Sequence, residues 1–379
     1  MPDLLIVGDT VRVPELRHEV PLGLGDPLAF LEHEGVGHVV VASLELDRVR
    51  GLGLAHEVHP FEELGYDELV TRGLDIDLVR RELVARACER LGVRRAFVPA
   101  GFPLAYAERL REAGVELVVD QALFNVRRRA KNAAELAGIR RAQRAAEAGM
   151  GAAVELLRRA SRRNGDLSVG GEPVTCELVK QHVEREFARH GCAADEFVVS
   201  HGPQSAIGHE MGSGPIAPGE AVVIDLWPRD RESACYADMT RTFVVGEPPP
   251  ELREYHRLSR DALDLAIAMI RPGVNGRAVY AAVCDHFEAH GQPTGRSKPP
   301  GEVLRDGFFH GLGHGVGLEV HERPGLSRYG DELVAGDVVA IEPGLYRHGL
   351  GGARLEDLVL VTANGCEVLT DFPYDLEVQ

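Results

Sequence analysis

The chain has 379 residues, with 59 acidic against 42 basic side chains and a formal net charge of −17. A surface this negative argues against a nucleic-acid partner, since phosphates are met by Lys and Arg, and no apolar run is long enough to cross a bilayer. At 44% hydrophobic residues there is ample material for a core, and the length suits two domains.

The stretch Met1-Pro2-Asp3-Leu4-Leu5-Ile6-Val7-Gly8 has no basic segment ahead of its apolar residues, so it reads as a first strand and not as a signal peptide. Val36 to Val41 reads as a strand, Asp75 to Leu91 as an amphipathic helix and Ala96 to Pro99 as a strand. Leu104 to Ala113 is again helical in pattern, and Val115 to Val119 a strand. This alternation predicts a smaller α/β domain over residues 1–125. Lacking a GxGxxG or P-loop, it is assigned no nucleotide. Six cysteines (Cys88, Cys176, Cys192, Cys235, Cys284 and Cys366) show no CxxC spacing and read as reduced thiols of a cytoplasmic protein, none of them a metal ligand.

Residues 126–379 follow another pattern. The basic run Arg127-Arg128-Arg129-Ala130-Lys131 is short and reads as a solvated linker rather than a nucleic-acid patch. Asn132, with Glu135 at the third helical position, opens a long helix running toward Arg163, before Asn164-Gly165-Asp166. Helices are also expected over Pro173 to Arg189, Pro250 to Ile270 and Gly276 to His290, with a Pro- and Gly-rich connector over Gly291 to Gly301. Helices around a curved antiparallel sheet make this part an α+β domain.

Within it, one pattern occurs twice. Gly219-Glu220-Ala221-Val222-Val223-Ile224-Asp225 parallels Gly336-Asp337-Val338-Val339-Ala340-Ile341-Glu342: a Gly, an acid, four apolar residues, then an acid. Each reads as a buried strand. A second strand follows each, Tyr236 to Val245 and Arg354 to Val361, after a segment rich in Gly, Pro and charge, so each pair reads as a hairpin. Asp225 and Asp238 are 13 residues apart, Glu342 and Glu356 14. A lone Asp at a strand end is ordinarily a turn or cap residue. An acid that closes an apolar run, found twice at one offset, is another matter, because a buried carboxylate is costly unless paired or metal-bound.

The third element is His310-Gly311-Leu312-Gly313-His314-Gly315-Val316-Gly317-Leu318-Glu319-Val320-His321-Glu322. Imidazole is a common metal ligand and proton carrier, and interspersed glycines allow close approach. They would also destabilise a helix, so this is not the HExxH helix of zinc proteases but a strand or loop lining a site. Asp225, Asp238, His314, Glu342 and Glu356 are thus candidate ligands for a pair of metal ions.

These motifs, together with Asp238-Met239-Thr240-Arg241-Thr242, Ile341-Glu342-Pro343-Gly344 and Arg354-Leu355-Glu356-Asp357, resemble the signatures of the pita-bread metallopeptidases over residues 130 to 379. That family includes Xaa-Pro dipeptidase (prolidase), aminopeptidase P and methionine aminopeptidase. The resemblance implies a pita-bread catalytic domain over residues 126–379, with the α/β domain before it as in the prolidase and aminopeptidase P group. It implies two divalent ions, manganese or cobalt first and zinc or iron as further candidates. Asp225 would chelate one ion, His314 and Glu342 would ligate the other, and Asp238 and Glu356 would bridge. It also implies two active-site histidines that are not ligands, His209 and His321, with Glu342 taking the proton of the attacking water. His310 and Arg354 are expected near the substrate; Arg354 would bind a substrate carboxylate or support a ligand.

The implied reaction is hydrolysis of the Xaa-Pro bond of a dipeptide or short proline-containing peptide by a hydroxide shared between the ions. No nucleic-acid or membrane partner is expected, and a homodimer is. Two rival readings are a creatinase-like hydrolase without metal and a non-catalytic peptide-binding scaffold; a complete ligand set disfavours both. Trp227 stands where the family usually has Gly, the first hairpin is longer than expected, and His201 replaces a small polar residue. The first two departures bear on the wall of the pocket, and His201 is expected to do no more than support it.

Overall fold

The computed structural model describes residues 3–163 and 165–378. Met1 and Pro2 of the expected first strand, and Asn164 after the expected long helix, lie outside them. The chain forms two compact units, Met1–Arg128 and Arg129–Gln379.

The first unit is built on a six-stranded sheet in the order His56–Pro60, Val36–Val41, Leu28–His33, Leu4–Gly8, Arg95–Val98 and Glu116–Val119. Two hairpin pairings are antiparallel and three pairings are parallel. Leu4 and Ile6 face one core, Leu5 and Val7 the other. Both faces are covered, so the strand is apolar throughout instead of alternating. The helix Ile76–Leu91 starts where the Asp75 side chain accepts the Asp77 backbone N–H and stops at Gly92, in the left-handed region at φ 76°.

The basic run is no solvated linker. It ends the helix Gln121–Arg129. Arg127 donates to Glu19 at 2.7 Å and Glu32 at 2.8 Å, and Arg128 is buried beside Glu15. In the second unit Arg129 holds the fully buried Asp337 at 2.6 Å, and the buried Lys131 pairs with Glu322. Buried acids require such partners, and sequence alone does not show that these acids are buried.

In the second unit, Asn132 and Glu135 form a capping box at the head of the helix Ala133–Arg158. This helix stops short of the expected Arg163, because Ser161–Arg163 is taken into a strand pair. Gly165, at φ 101°, turns the chain so that Arg163 faces Asp166. The next helix is Cys176–Arg189, capped by Thr175; it starts later than expected because Pro173 belongs to a short strand. Two more helices, Pro250–Met269 and Gly276–Ala289, pack on each other.

The two Gly-acid segments each form the middle of a three-strand group. Val222–Leu226 lies between Val198–His201 and Met239–Phe243. Val338–Ile341 lies between Gly313–Gly315 and Asp357–Val361. The connections are more than hairpin loops. The first carries Arg229–Asp230, paired with Cys192–Ala193; the second carries a hairpin of its own, Gly344–Arg347 against Gly351–Arg354. The expected strand Arg354–Val361 is therefore broken at Leu355-Glu356, and Tyr236–Val245 is trimmed to Met239–Phe243. At the break, the Glu356 N–H donates to the Thr240 carbonyl at 3.0 Å, joining the two halves. Val222, Ile224, Val338 and Ala340 face one core, Val339, Ile341, Val359 and Val361 another.

Arg241 secures this junction. Its guanidinium, 1% exposed, donates to Asp357 Oδ1 at 2.9 Å and to the carbonyls of Glu356 (2.7 Å), Pro373 (2.9 Å) and Phe372 (3.0 Å). Tyr374 stacks over it and donates to the other oxygen of Asp357. Replacing one partner of such a buried pair strands the other charge. Arg241→Met is expected to lose about 3–5 kcal/mol of stability in urea unfolding; a loss below about 1 kcal/mol would refute this role.

Candidate metal centre

The register of the two groups brings the acids together. Asp225 is the last but one residue of its strand, opposite Thr240, and Asp238 immediately precedes the partner strand. Ile341 pairs with Asp357, so Glu342 and Glu356 lie just beyond the paired residues, on opposing strands. His314 sits at the centre of Gly313–Gly315, beside Ala340. A Cβ on Gly313 would run into the Ala340 carbonyl, which is why glycine is needed beside this histidine.

These residues line one cavity of about 370 Å³. Its wall holds Asp225, Asp238, His314, Glu342 and Glu356, with His209, His321, Trp227 and Arg354. Asp238, His314 and Glu356 present ligand atoms within 4.8 Å of one another. His314 Nε2 lies 3.8 Å from Asp238 Oδ2 and 3.7 Å from Glu342 Oε1. Its Nδ1 is 3.2 Å from the Gly315 carbonyl, which can only accept, so Nδ1 carries the proton and the Nε2 lone pair faces the acids. The His314 and His321 rings are 4.2 Å apart. His209 reaches the cavity from a backbone at φ 53°, an uncommon conformation for a residue with a side chain.

The electrostatics are unbalanced. Five acids line the wall, counting Glu196, against one cationic side chain, Arg354. Burial, then repulsion from Glu356 and Asp225, drives the Asp238 carboxyl well above its ordinary range. Glu356 is driven up by burial and by Asp225 and Glu342, and burial pushes Glu342 up to about 7. Burial also lowers His314 to about 4, helped by His321. Asp225 Oδ1 and Asp238 Oδ1 are buried without a hydrogen-bond partner. Oxygen-rich donors, one imidazole with its lone pair turned inward, and orphaned carboxylate oxygens together fit divalent cations, whose charge would offset the desolvation of the acids.

Arg354 and His310 have polar partners of their own, and those of Arg354 suit support of a ligand rather than capture of a substrate carboxylate. Arg354 is in the cavity wall, but its guanidinium is engaged: it pairs with Asp225 and donates to Tyr346 Oη at 3.1 Å and Thr240 Oγ1 at 3.3 Å. Burial would lower its affinity for a proton, yet Tyr346 and the surrounding acids hold it well above the ordinary value. His310 lines another cavity, of about 500 Å³, with Phe309 and Arg328. Its Nδ1 donates to the Gly311 carbonyl and its Nε2 accepts from Tyr346 Oη at 3.0 Å; it is 4.0 Å from Glu342. Burial, then Arg354, lowers it to about 3. His201 pairs with Glu220 at 2.6 Å and does not line the site cavity. Asp357 is spent on Arg241 and Tyr374.

Sequence reading passes over Glu196, Met211, Val320, Thr240 and Tyr346. The first three line the cavity. Thr240 Oγ1 donates to Glu356 at 2.7 Å, and Tyr346 joins Arg354 to His310. Thr240 and Val320 carry a signal in the sequence, Thr240 two residues after Asp238 and Val320 immediately before His321, each within one of the motifs; Glu196, Met211 and Tyr346 carry none.

With this geometry in view, the comparisons are specific. Residues 137–363 match metallopeptidase family M24. The chain belongs to that family, and its second unit has the pita-bread fold. It is 36% identical over 183 residues to a Xaa-Pro dipeptidase of Pyrococcus furiosus, covering 47% of each chain. The chain thus spans about half the length of the curated relatives it matches. Among solved structures, a Xaa-Pro dipeptidase from Bacillus anthracis superposes with a TM-score of 0.79 at 23% identity, over 99% of this chain and 94% of the other. A prolidase from Pyrococcus horikoshii gives 0.76 at 25% identity, over 99% and 95%. Among the described residues, no helix is long and apolar enough to cross a membrane.

If the acids hold cations, Mn²⁺ should raise the unfolding temperature. At an ion concentration a hundred times the Kd the gain is about 2.7 kcal/mol per site. Asp238→Asn should remove most of that gain in differential scanning fluorimetry. An unfolding temperature indifferent to Mn²⁺, Co²⁺ and Zn²⁺ would refute the centre.

Proposed function

We propose that the chain is a metal-dependent peptidase that hydrolyses the Xaa-Pro bond of dipeptides or short peptides. The observation that carries this reading is the convergence of Asp225, Asp238, His314, Glu342 and Glu356 on one cavity, with unsatisfied carboxylate oxygens among them. Family membership and the Xaa-Pro dipeptidases among the relatives support the choice of reaction. Those five residues would hold two divalent ions, Mn²⁺ or Co²⁺ first by ligand type, with Zn²⁺ and Fe²⁺ as the other candidates. When bound, the ions supply Lewis acidity, making water more acidic and polarising the scissile carbonyl.

The remaining roles fall to side chains of this protein. Glu342, on the cavity wall and 4.0 Å from His310, takes the proton of the attacking water. His209 and His321 face the same space and would stabilise the oxyanion and hand a proton to the leaving nitrogen. Arg354 acts as a positioning residue: it orients Asp225 and, through Tyr346, fixes His310. Trp227, which stands where the family usually has Gly, places an indole in the cavity wall and would shape the range of substrates admitted. A homodimer belongs to the same proposal and is read by sedimentation.

The test is a panel of Xaa-Pro dipeptides and longer Xaa-Pro peptides, assayed with Mn²⁺, Co²⁺ and Zn²⁺. Cleavage before proline, lost on chelation, is expected. Glu342→Ala should lower kcat by at least about a thousandfold, and His209→Ala or His321→Ala by about 10²–10⁴. Wild-type turnover in Glu342→Ala would remove that residue as the base. Metal-free turnover of creatine, or peptide binding without turnover, would replace the proposal altogether.

A further inference from the structure

A second convergence of ligand-type side chains lies in the first unit, far along the sequence from the carboxylate site. His56–Pro60 is the edge strand of the six-stranded sheet and runs parallel to Val36–Val41. The register sets His38 against Glu57, with His59 two residues further on the same face. Three atoms meet there. His38 Nδ1 is 3.1 Å from His59 Nε2 and 3.5 Å from Glu57 Oε2, and His59 Nε2 is 3.8 Å from the same Glu57 oxygen.

A triangle with sides of 3.1, 3.5 and 3.8 Å has its centre about 2.0 Å from every corner. That is the bond length of a transition-metal ion to imidazole nitrogen or carboxylate oxygen, about 2.0–2.2 Å. The ring planes are near parallel, 23° apart, with their nitrogens turned to this point. The surroundings suit an ion as well. Glu63 lies 3.6 Å from His59 Nδ1, which favours the proton on that nitrogen and leaves the Nε2 lone pair free for coordination. His38 is 6% exposed, whereas the Glu57 side chain is 63% exposed, so the cluster has a fixed inner ligand and an open outer side.

We propose that His38, Glu57 and His59 form a second metal site, taking one Zn²⁺ or a similar borderline ion, with water in the remaining position. Two imidazoles and one carboxylate match the ligand preference of zinc. The donors come from two neighbouring strands, so the ion would clip the edge strand to the sheet. The other reading of the same geometry is an imidazole pair joined by one N–H···N hydrogen bond.

Zinc stoichiometry after equilibrium dialysis of the full-length protein distinguishes them. The wild type should bind one more Zn²⁺ per chain than His59→Gln. Glu57→Gln, at an exposed position that cannot unfold the domain, should weaken the extra site at least tenfold. His56→Gln is the control: its Nε2 is directed at the Glu19 carbonyl, so the count should not change. Metal taken up at the carboxylate site contributes equally to all four proteins and cancels. Equal stoichiometry and affinity in wild type, His59→Gln and Glu57→Gln would overturn the proposal and leave the hydrogen-bonded pair.

Discussion

The second unit depends on a conflict between burial and charge. Asp238 and Glu356 are nearly inaccessible and Asp225 and Glu342 largely so; Asp238, Glu342 and Glu356 approach the His314 imidazole, Asp225 pairs with Arg354, and all four line one cavity. Carboxylates removed from water are expensive, and neighbours of like sign make them more so. One arginine cannot balance that set, and two of the oxygens have no hydrogen-bond partner. A chain that holds its acids in this way stores an affinity for small, highly charged cations, and the rest of the architecture serves to keep those acids from moving apart.

The means is a duplicated strand group with interlocked ends. Each half places one acid at the end of a central buried strand and another at the start of its partner. The halves are then joined through Thr240, which binds Glu356 by both backbone and side chain. Arg241, next in sequence, reaches past it to Asp357 and the C-terminal carbonyls. The acids that face the cavity thus alternate with residues that anchor them from behind, a consequence of the two-residue period of a strand. The second group pays for this with a broken strand at Leu355-Glu356, where the ladder is exchanged for a contact to the other half.

The first unit applies the same logic at smaller scale. Parallel pairing of Val36–Val41 with His56–Pro60 assembles His38, Glu57 and His59 from positions with no motif between them. In both units, strand register decides which polar side chains meet.

Much of this was legible in the linear sequence. The repeated Gly-acid-apolar-acid pattern located two central strands and four acids, because period and burial leave a compositional trace. The glycines around His314 signalled close approach, and the Asn132 capping box marked a helix start, because each depends on local geometry alone. Contacts between distant residues left no such trace. Nothing near Arg127 reveals that Glu19 and Glu32 await it, and nothing near Tyr346 reveals its link from Arg354 to His310. The helix that begins at Ala133 is likewise shorter than periodicity alone suggests, since Gly165 turns residues 161–163 into a strand. The sequence by itself determined the chemical types of the site and their spacing along the strands, since these are properties of neighbouring residues. Only the tertiary structure decided which acids share a cavity and which cations balance them, since hydrogen bonds and Coulomb forces act across space regardless of distance along the chain.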